Sequence, residues 1–434
     1  MRMQRTKKTT AIVLVLTLAM GLLGVLPLTV SARTINLTDT NSICTDDGCT
    51  HCAIVIDLSV SPNPPSGAGW TYANTIFTIQ DGANVTVMGR SDIRMRRIVV
   101  AAGAKATITL DGASIFFPLG VFVPPMLINP GANLTLNLVE NTINTMSSWG
   151  GAGIQTTDAT LNITSTITSA GATGGTLNAM GGGNAAAIGG SDNNAGGTVN
   201  ISGDAIVNAS IREDAMVHYF SNITGRGAGI GGGQNGAGGT VTISGNAIVN
   251  AAGGNNGAGI GGGLGGNGGT VTISDNATVT ATGGRGLVTG GLSGAVNYSG
   301  GGAGIGGGGQ YGANSAGAGG TITISNTANV TATGGSGSSR AQGGAGIGGG
   351  GAGAFVPSGG DAVAVGTRGR GAVFNDTAHT VPPGVLNVTG GNNGANAGGG
   401  QAFSLHRARG STSNGFSPSP AVRPALPPLC MIEK

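Results

Sequence analysis

The chain has 434 residues, of which 89 are glycine, 3% are aromatic and 9% are charged. The aromatic and charged fractions lie far below those of ordinary globular proteins, so few side chains are available for acid–base chemistry. The formal net charge is +3, but from Arg33 onward 16 basic residues stand against 17 acidic ones. This balance gives no indication of a nucleic-acid partner.

Residues 1–32 have the features of a secretory signal peptide. A basic start is followed by an apolar run from Ala11 to Val25, the helix-breaking Pro27 and small residues before an expected cleavage site at Arg33. An uncleaved membrane anchor is the alternative, because the apolar run is rather long. No second apolar run of about 18 residues follows, so the mature chain is not expected to span a membrane. We therefore expect a secreted, extracellular or cell-surface protein.

Residues 33–68 hold three of the four cysteines, Cys44, Cys49 and Cys52, together with His51. Cysteine and histidine are usual zinc ligands, but cysteines outside the cell usually oxidise. The sequence therefore favours an N-terminal cap pinned by disulfides, with these three cysteines as candidates, over a metal site. Their pairing stays open, because three cysteines cannot all pair within one loop and Cys430 is the only other thiol.

Residues 69–149 contain short runs that alternate apolar and polar residues, which predicts N-terminal β-helix coils. Strands are predicted at Thr75–Ile79, Val85–Val87, Ile98–Val100, Ala106–Leu110 and Leu134–Leu138. Asp-Gly-Ala turns are predicted at 81–83 and 111–113. Trp70 and Tyr72 precede these strands, and we expect them to close the end of the core, with stacking on a sugar ring as the alternative.

Arg90, Arg94, Arg96 and Arg97 form the only dense basic cluster after the signal peptide. Arg94 and Arg96 would share one face of a strand, where they could meet an anionic polymer such as a uronic-acid polysaccharide or teichoic acid. The alternative is a solvated sheet edge at which arginines discourage lateral pairing. Arg94 and Arg96 are therefore candidate ligand-binding residues.

Residues 150–400 repeat the phrase Gly-Ala-Gly-Ile-Gly-Gly-Gly, which stands at 227–233, 257–263, 302–308 and 344–350. The first three copies are followed by Gly-Gly-Thr-Val/Ile-Thr-Ile-Ser, which predicts a strand with Val241 and Ile243 inward and Thr240 and Thr242 outward. A second strand follows, and the phrase itself provides a third side. Because such units are stable only when stacked, the sequence predicts an all-β parallel β-solenoid with Gly-rich coils, expected to be a right-handed β-helix.

Successive isoleucines of the phrase, from Ile154 to Ile347, are 30 to 45 residues apart. The excess over a 30-residue coil lies in three insertions, Ser210–Gly225, Arg285–Gly300 and Gln310–Ala318. Insertions in solenoids tend to fall on one side and often carry the binding function, although ordinary variable loops are the alternative. Their tyrosines, which complete the set of candidate ligand-binding residues, are Tyr219, Tyr298 and Tyr311.

The repeat pattern decays after Gly359, with one late strand expected at Val385–Thr389. Residues 401–434 are rich in Ser and Pro and are predicted to form a disordered tail. This tail contains no sorting motif with an apolar end, which leaves release and anchoring both open.

Three features within residues 69–352 carry a resemblance to known proteins. They are Gly69-Trp70-Thr71-Tyr72, the stretch Arg97–Leu110, and the alternation of the glycine phrase with Gly-Gly-Thr-Val-Thr-Ile-Ser. On these residues the chain resembles secreted bacterial Gly-rich parallel β-helix repeat proteins, described as carbohydrate-binding-domain-like or as hypothetical cell-surface proteins. The resemblance implies binding of cell-wall or plant polysaccharides and carries over no individual site residue.

The signal peptide, the repeat and the scarcity of ionisable groups favour a non-enzymatic, adhesin-like protein that binds a polysaccharide or cell-wall polymer. Self-association through the ends of the solenoid stays open. A structural or ice-binding-like repeat protein is one alternative, because rows of outward Thr-x-Thr can order water. Threonine is, however, simply a good residue for an exposed strand.

A polysaccharide lyase or hydrolase is the other alternative. Such an enzyme needs paired carboxylates, or calcium held by carboxylates. Asp275 is the only carboxylate between 227 and 352, and the acids of the earlier coils stand beside turn-favouring residues; these are Asp57, Asp81, Asp92 and Asp111. No catalytic residue, metal ligand or cofactor is assigned, and Ca²⁺ has no motif to support it.

Overall fold

The computed structural model describes residues 54–59, 66–67, 69–91, 95–212, 225–290, 296–311, 315–325, 327–356, 364–365, 373–377 and 386–390. These residues form β-strands joined by turns. No helix long and apolar enough to cross a membrane occurs among them. The predicted signal peptide 1–32, the disulfide candidates Cys44, Cys49 and Cys52, and the predicted tail 401–434 lie outside the described residues.

The strands, numbered β1 to β31 in chain order, build a parallel β-solenoid whose coils have three faces. On the first face, ten described strands stack in parallel. They are β1 (Ile54–Asp57), β4 (Asn84–Ser91), β6 (Lys105–Phe116), β8 (Asn133–Leu138), β11 (Thr160–Ser165), β14 (Thr198–Gly203), β17 (Thr240–Ile243), β20 (Thr270–Ile273), β25 (Thr321–Ser325) and β30 (Val373–Thr377). The predicted parallel solenoid is confirmed, and its right-handed sense stays a prediction. β1 lies inside the stretch 33–68 that the sequence assigns to a cap, yet it already belongs to this stack.

The second face stacks the strand that follows in each coil. β4 and β6 turn onto it at Gly89 and Gly112, whose φ angles are +77° and +70°. The other strands of this face are β9 (Ile143–Ser147), β12 (Thr176–Gly181), β15 (Ile206–Ile211), β18 (Ile248–Ala252), β21 (Thr278–Thr282), β26 (Asn329–Thr333) and β31 (Leu386–Thr389). The turn predicted at 111–113 is therefore a bend between two faces within the continuous strand β6.

The third face begins with an antiparallel hairpin and continues as a parallel stack. Its strands are β2 (Trp70–Ala73), β3 (Ile76–Ile79), β5 (Arg97–Val100), β7 (Met126–Ile128), β10 (Ile154–Gln155), β13 (Ile188–Gly189), β16 (Ile230–Gly231), β19 (Ile260–Gly261), β24 (Ile305–Gly306) and β27 (Ile347–Gly348). Trp70 on the end strand β2 is buried, and its ring centre lies 5.6 Å from that of Phe77. The Phe77 ring also lies 4.6 Å from that of half-buried Tyr72, so the hairpin closes the core as predicted.

A separate four-stranded antiparallel sheet, here called the insertion sheet, is built from the second insertion and a later segment. Its strands are β22 (Val288–Gly290), β23 (Val296–Tyr298), β28 (Ala354–Val356) and β29 (Ala364–Val365). Ser299, next to β23, forms an antiparallel bridge with Tyr311 of the third insertion. The second and third insertions therefore meet, although each leaves the solenoid at a different corner of the coil.

The core consists of columns of apolar side chains in register from coil to coil. One first-face column contains Val85, Ile108, Leu136, Ile163, Ile201, Ile243, Ile273 and Ile324, all fully buried. The third-face column contains Phe77, Ile98 and Met126 and then Ile154, Ile188, Ile230, Ile260, Ile305 and Ile347. Burial of one such side chain contributes about 1.5–3 kcal/mol, so each stacked coil adds several of these contributions. The predicted inward and outward positions of the repeat strands are confirmed.

From Ile188 onward each repeat isoleucine is followed by a glycine, and Gly261 shows two reasons why that residue is required. Gly261 has a φ of +135°, a region that side chains rarely adopt. A Cβ at Gly261 would also lie 2.0 Å from the carbonyl oxygen of Gly306 in the next coil. The phrase therefore allows the coils to approach more closely than any residue with a side chain would permit.

Candidate functional site

The described members of the arginine cluster do not share one exposed strand face, because Arg90 is exposed on β4, Arg96 is buried and Arg97 is half-buried on β5. Arg96 precedes β5 and is fully buried, with its guanidinium carbon 5.7 Å from the centre of the Tyr72 ring. Its Nη1 donates a 2.6 Å hydrogen bond to the carbonyl of Leu58, while Nε and Nη2 have no hydrogen-bond partner in the part of the chain that the structure describes. The prediction of a surface-exposed Arg96 is wrong, because the side chain enters the end of the core. Arg94 lies outside the described residues.

Of the three candidate tyrosines, Tyr298 lies on strand β23 of the insertion sheet and Tyr311 forms the bridge to Ser299 beside that strand. Tyr298 is half-buried, with the guanidinium carbon of Arg340 at 5.5 Å from its ring centre. Tyr311 is also half-buried, with the guanidinium carbon of Arg226 at 5.6 Å and a short hydrogen bond between its hydroxyl and that of Thr289. Tyr311 bridges to Ser299, the neighbour of Tyr298, so the two rings project from opposite sides of the sheet.

The structure therefore brings Tyr311 to the edge of the insertion sheet that carries Tyr298, without placing the two rings on one surface. Tyr219, the third candidate, lies outside the described residues. The pKa of the Arg226 guanidinium is lowered by burial, an effect that Tyr311 and Asp192 partly offset. Its Nη1 also donates to Oε1 of Gln234 at 3.3 Å. These contacts pack the second and third insertions against other segments of the chain. Each tyrosine ring is half-buried and has an arginine against it, so neither is a fully exposed surface for stacking on a sugar.

The described acids of the early coils lie at different corners of the coil, with Asp57 and Asp111 between the first two faces and Asp81 between the third and the first. Asp57 and Asp111 lie in one row at the corner between the first two faces, with Met88 of the intervening coil between them. Asp57 accepts hydrogen bonds from the backbone and hydroxyl of Ser59, and Asp81 accepts one from the backbone of Lys105. Asp92 lies outside the described residues. Among the described residues, no three His, Cys, Asp or Glu side chains lie close enough together to hold a metal ion.

Glu140 is the carboxylate with the strongest perturbation of its pKa. Its two oxygens accept hydrogen bonds from the backbone N–H and the hydroxyl of both Thr168 and Ser169, at 2.5–3.2 Å. These bonds, that of the Ser169 hydroxyl above all, lower the pKa of Glu140 from 4.5 to about 2. Glu140 therefore holds a surface loop in place, and its lone pairs are occupied by that loop.

The outward side of the first face is a regular array of small polar side chains. Its central row contains Asn84, Thr107, Thr135, Asn162, Asn200, Thr242, Thr272 and Thr323. One flanking row contains Lys105, Asn133, Thr160, Thr198, Thr240, Thr270 and Thr321, and the other contains the exposed Val55 followed by Thr86, Thr109, Asn137, Thr164 and Ser202. The members of a row repeat at about 4.8 Å from coil to coil. A shallow depression of about 300 Å³ lies at the N-terminal end, beside Asn84, Lys105 and Thr135.

The outward side of the second face has a polar central row but different flanks. The central row contains Arg90, Ser114, Thr145, Asn178, Asn208, Asn250, Thr280 and Thr331. One flanking row contains Ile143, Thr176, Ile206, Ile248, Thr278 and Asn329, and the other contains Phe116, Ser147, Met180, Ser210, Ala252, Thr282 and Thr333. Apolar side chains therefore stand on both sides of the polar row in the N-terminal half of this face.

Asparagine ladders fix the amide groups on both faces. On the first face, Nδ2 of Asn162 donates to Oδ1 of Asn133, and Nδ2 of Asn200 donates to Oδ1 of Asn162, each at 2.8 Å. On the second face, Asn208 donates to Asn178 at 2.8 Å, and Asn250 donates to Asn208 at 2.9 Å. The amides are therefore held in one orientation before any ligand arrives.

An exposed aromatic side chain that the sequence patterns do not single out lies at the corner after the second face. Phe122 is 58% exposed in the loop that connects β6 to β7. A Cβ at Gly150 would lie 2.2 Å from Cδ1 of Phe122, so the ring rests against the backbone of that glycine. Leu119 and Val123 of the same loop are also exposed. The only sequence feature that could have indicated this exposed apolar loop is the run Phe116–Val123, which is rich in large apolar residues in a chain with few aromatic ones.

Comparisons of the chain with protein-family models, with curated proteins and with solved structures each give no match. No family is therefore assigned to it.

Proposed function

We propose that the protein is a non-enzymatic, secreted or cell-surface β-solenoid that binds a polysaccharide or cell-wall polymer, in the manner of an adhesin. The observation that carries this proposal is the pair of outer faces, on which hydroxyl and amide groups repeat in register over successive coils. A polymer with a repeating, hydroxyl-rich surface can meet such an array with many equivalent hydrogen bonds, each weak alone but additive along the chain.

The side chains that would perform chemistry support binding over catalysis. Asp57 accepts hydrogen bonds from Ser59 in its own turn, Asp81 accepts one from the backbone of Lys105 in the next coil, and Glu140 is occupied by the loop that it holds. An acid or base in a lyase or hydrolase must instead be free to reach the substrate. The proposal therefore assigns no catalytic residue to the described coils.

Retention of the purified protein on insoluble polymers tests this proposal. The panel contains uncharged polysaccharides (microcrystalline cellulose, chitin, mannan), anionic polysaccharide (pectate gel) and bacterial cell walls, each with calcium and with a chelator. We expect saturable retention on at least one polymer, with no soluble sugar released. Retention on none would contradict the proposal, and release of sugar would show an enzyme instead.

The same array favours a second candidate function. Thr240 and Thr242, with their counterparts in the next two coils, form two straight rows of hydroxyls on the first face. Rows of this regularity can order water, which is the basis of ice binding. Growth of a single ice crystal in the presence of the protein distinguishes ice binding from polysaccharide binding. Faceting of the crystal, together with no retention on the polymer panel, would favour ice binding.

A further inference from the structure

The two outer faces differ in the side chains beside their central polar rows. Both flanks of the first face are polar except at Val55 on its N-terminal end strand, whereas the second face is flanked by exposed apolar residues in several coils. The exposed fractions are 65% for Ile143, 40% for Ile248 and 36% for Phe116. Apolar side chains left open to water beside ordered polar groups are typical of a binding surface.

We propose that the second face, extended by Phe122 at the corner that follows it, is where the protein binds an uncharged polysaccharide. This inference rests on the proposed function and adds the face, the contacting residues and the absence of charge on the ligand.

Charge favours an uncharged ligand over an anionic one. Within the three described rows of the second face, Arg90 at the N-terminal end is the only charged residue, and Arg212 adds one guanidinium at the flank, 5.1 Å from the centre of the Phe116 ring. An anionic polymer laid along the rest of this surface would lose hydration from its carboxylates or phosphates without gaining a partner for them, which is unfavourable. An uncharged polymer loses no such hydration.

The asparagine ladder matches the hydroxyl groups of a sugar. A side-chain amide has two N–H donors and two acceptor lone pairs. Asn208 uses one donor toward Asn178 and one lone pair for Asn250, which leaves one donor and one lone pair for a ligand. A hydroxyl group is itself a donor and an acceptor, so it can use both. Because the ladder already orders the amides, binding costs little additional side-chain entropy.

The apolar flanks match the other part of a sugar. The faces of a pyranose ring carry C–H groups, which bind favourably to aliphatic and aromatic side chains. Phe122 is held against Gly150 and remains 58% exposed, so it provides a fixed aromatic surface. Ile143 and Ile248 provide aliphatic surface along the opposite flank. The first face has the hydroxyl partners, but its described rows offer only one exposed apolar side chain, Val55 on the N-terminal end strand, and no aromatic one.

A matched pair of lysine substitutions tests the choice of face. Thr280 and Thr272 belong to the same coil and to the central rows of the second and first face, respectively. Thr280→Lys places a charge in the proposed site, and we expect it to weaken binding to the retaining uncharged polymer by about tenfold or more. Thr272→Lys places the same charge on the other face and is expected to change binding by less than about twofold.

Two milder variants keep the test valid if a lysine disturbs folding. Phe122→Ala and Ile248→Thr remove apolar contact at opposite flanks, and each is expected to weaken binding by about fivefold. Thr240→Ser on the first face serves as their control and should leave binding unchanged. Thermal unfolding of every variant establishes that the coils are intact.

The outcomes separate this inference from the proposed function. Failure of the unmodified protein to bind any polymer overturns both. The inference alone is overturned if Thr280→Lys and Thr272→Lys weaken binding equally, or if only Thr272→Lys weakens it. Tighter binding to pectate than to every uncharged polymer also overturns the inference alone. Sedimentation velocity is measured in parallel: a dimer that only Thr280→Lys dissociates would show that the second face binds a second copy of the chain instead.

Discussion

The N-terminal coils and the glycine-rich coils share two faces and differ in the third. On the first face, the column that contains Leu136 continues in register to Ile243 without a change in packing. On the third face, four-residue strands with Phe77 and Ile98 give way to two-residue Ile-Gly strands such as Ile260–Gly261. The first two faces are therefore alike in both regions. On the third face, packing of large side chains in the N-terminal coils gives way to close approach of the backbone in the glycine-rich coils.

This difference shows where each region obtains its stability. In the N-terminal coils, large side chains such as Phe77 and Met126 fill the corner of the core. In the glycine-rich coils, carbonyl oxygens occupy the space where a side chain would begin, as between Gly261 and Gly306. Glycines of the first region with open space at the Cβ position, such as Gly103, should therefore tolerate a small change, and Gly261 in the second region should not.

The largest expected effect is that of a methyl group added in the glycine-rich third face. Gly261→Ala combines a strained φ of +135° with a Cβ 2.0 Å from the oxygen of Gly306. We expect it to lower the free energy of unfolding by about 3–5 kcal/mol. Gly103→Ala is the matched control in the N-terminal coils, because Gly103 has a φ of +70° but no atom within 4 Å of the position that a Cβ would take.

The control substitution Gly103→Ala should cost only about 1 kcal/mol, the strain of a left-handed residue. Urea unfolding of both variants measures the difference. Equal costs at Gly261 and Gly103 would mean that the close approach of the coils does not contribute to stability.

The next effect concerns the first face, on which the two regions are alike. Leu136→Ala in the N-terminal coils and Ile243→Ala in the glycine-rich coils each remove a fully buried side chain from the same column. We expect each to cost about 2–5 kcal/mol and the two costs to agree within about 1 kcal/mol. A much smaller cost for Ile243→Ala, measured in the same urea titration, would show that the glycine-rich coils have a looser core on every face.

The smallest effect is expected at Glu140, on the surface loop near the boundary between the two regions. Its pKa of about 2 lies below the ordinary 4.5, so its hydrogen bonds stabilise the folded loop fully above pH 4.5 and are lost as the pH falls toward 2. Hydrogen exchange at the amides of Thr168 and Ser169 should therefore be faster in Glu140→Gln than in the unmodified protein at pH 6. The difference should shrink as the pH is lowered through this range. Equal exchange at pH 6 would contradict this role.

Much of the fold follows from the sequence because its determinants are local. The alternation in Thr240–Ile243 defines an inward and an outward side, and the recurring isoleucine of the glycine phrase defines the third face. Both signals repeat at each coil, so the stacking register is fixed by matching like residues. The outward threonine rows are predictable for the same reason.

The candidate site is less predictable because its contacts are distant in sequence. The sequence predicts Arg96 on an exposed strand, but the strand begins one residue later, and the hydrogen-bond partner of Arg96 is Leu58, 38 residues earlier. The arginine over each tyrosine and the glycine beneath Phe122 likewise come from other coils. Periodicity reports which side of its own strand a residue occupies, and it carries no information about contacts of this kind.

The salt dependence of polymer binding tests most directly the central claim that the second face, in whose described rows Arg90 is the only charged residue, binds an uncharged polymer. Raising the salt concentration from about 0.1 M to about 1 M shortens the screening length from about 10 Å to about 3 Å. The binding isotherm of the unmodified protein on its retaining uncharged polysaccharide should shift by less than about twofold over this range. Binding that is lost at high salt, or that occurs only on anionic polymers, would place the interaction on charged groups and contradict the account.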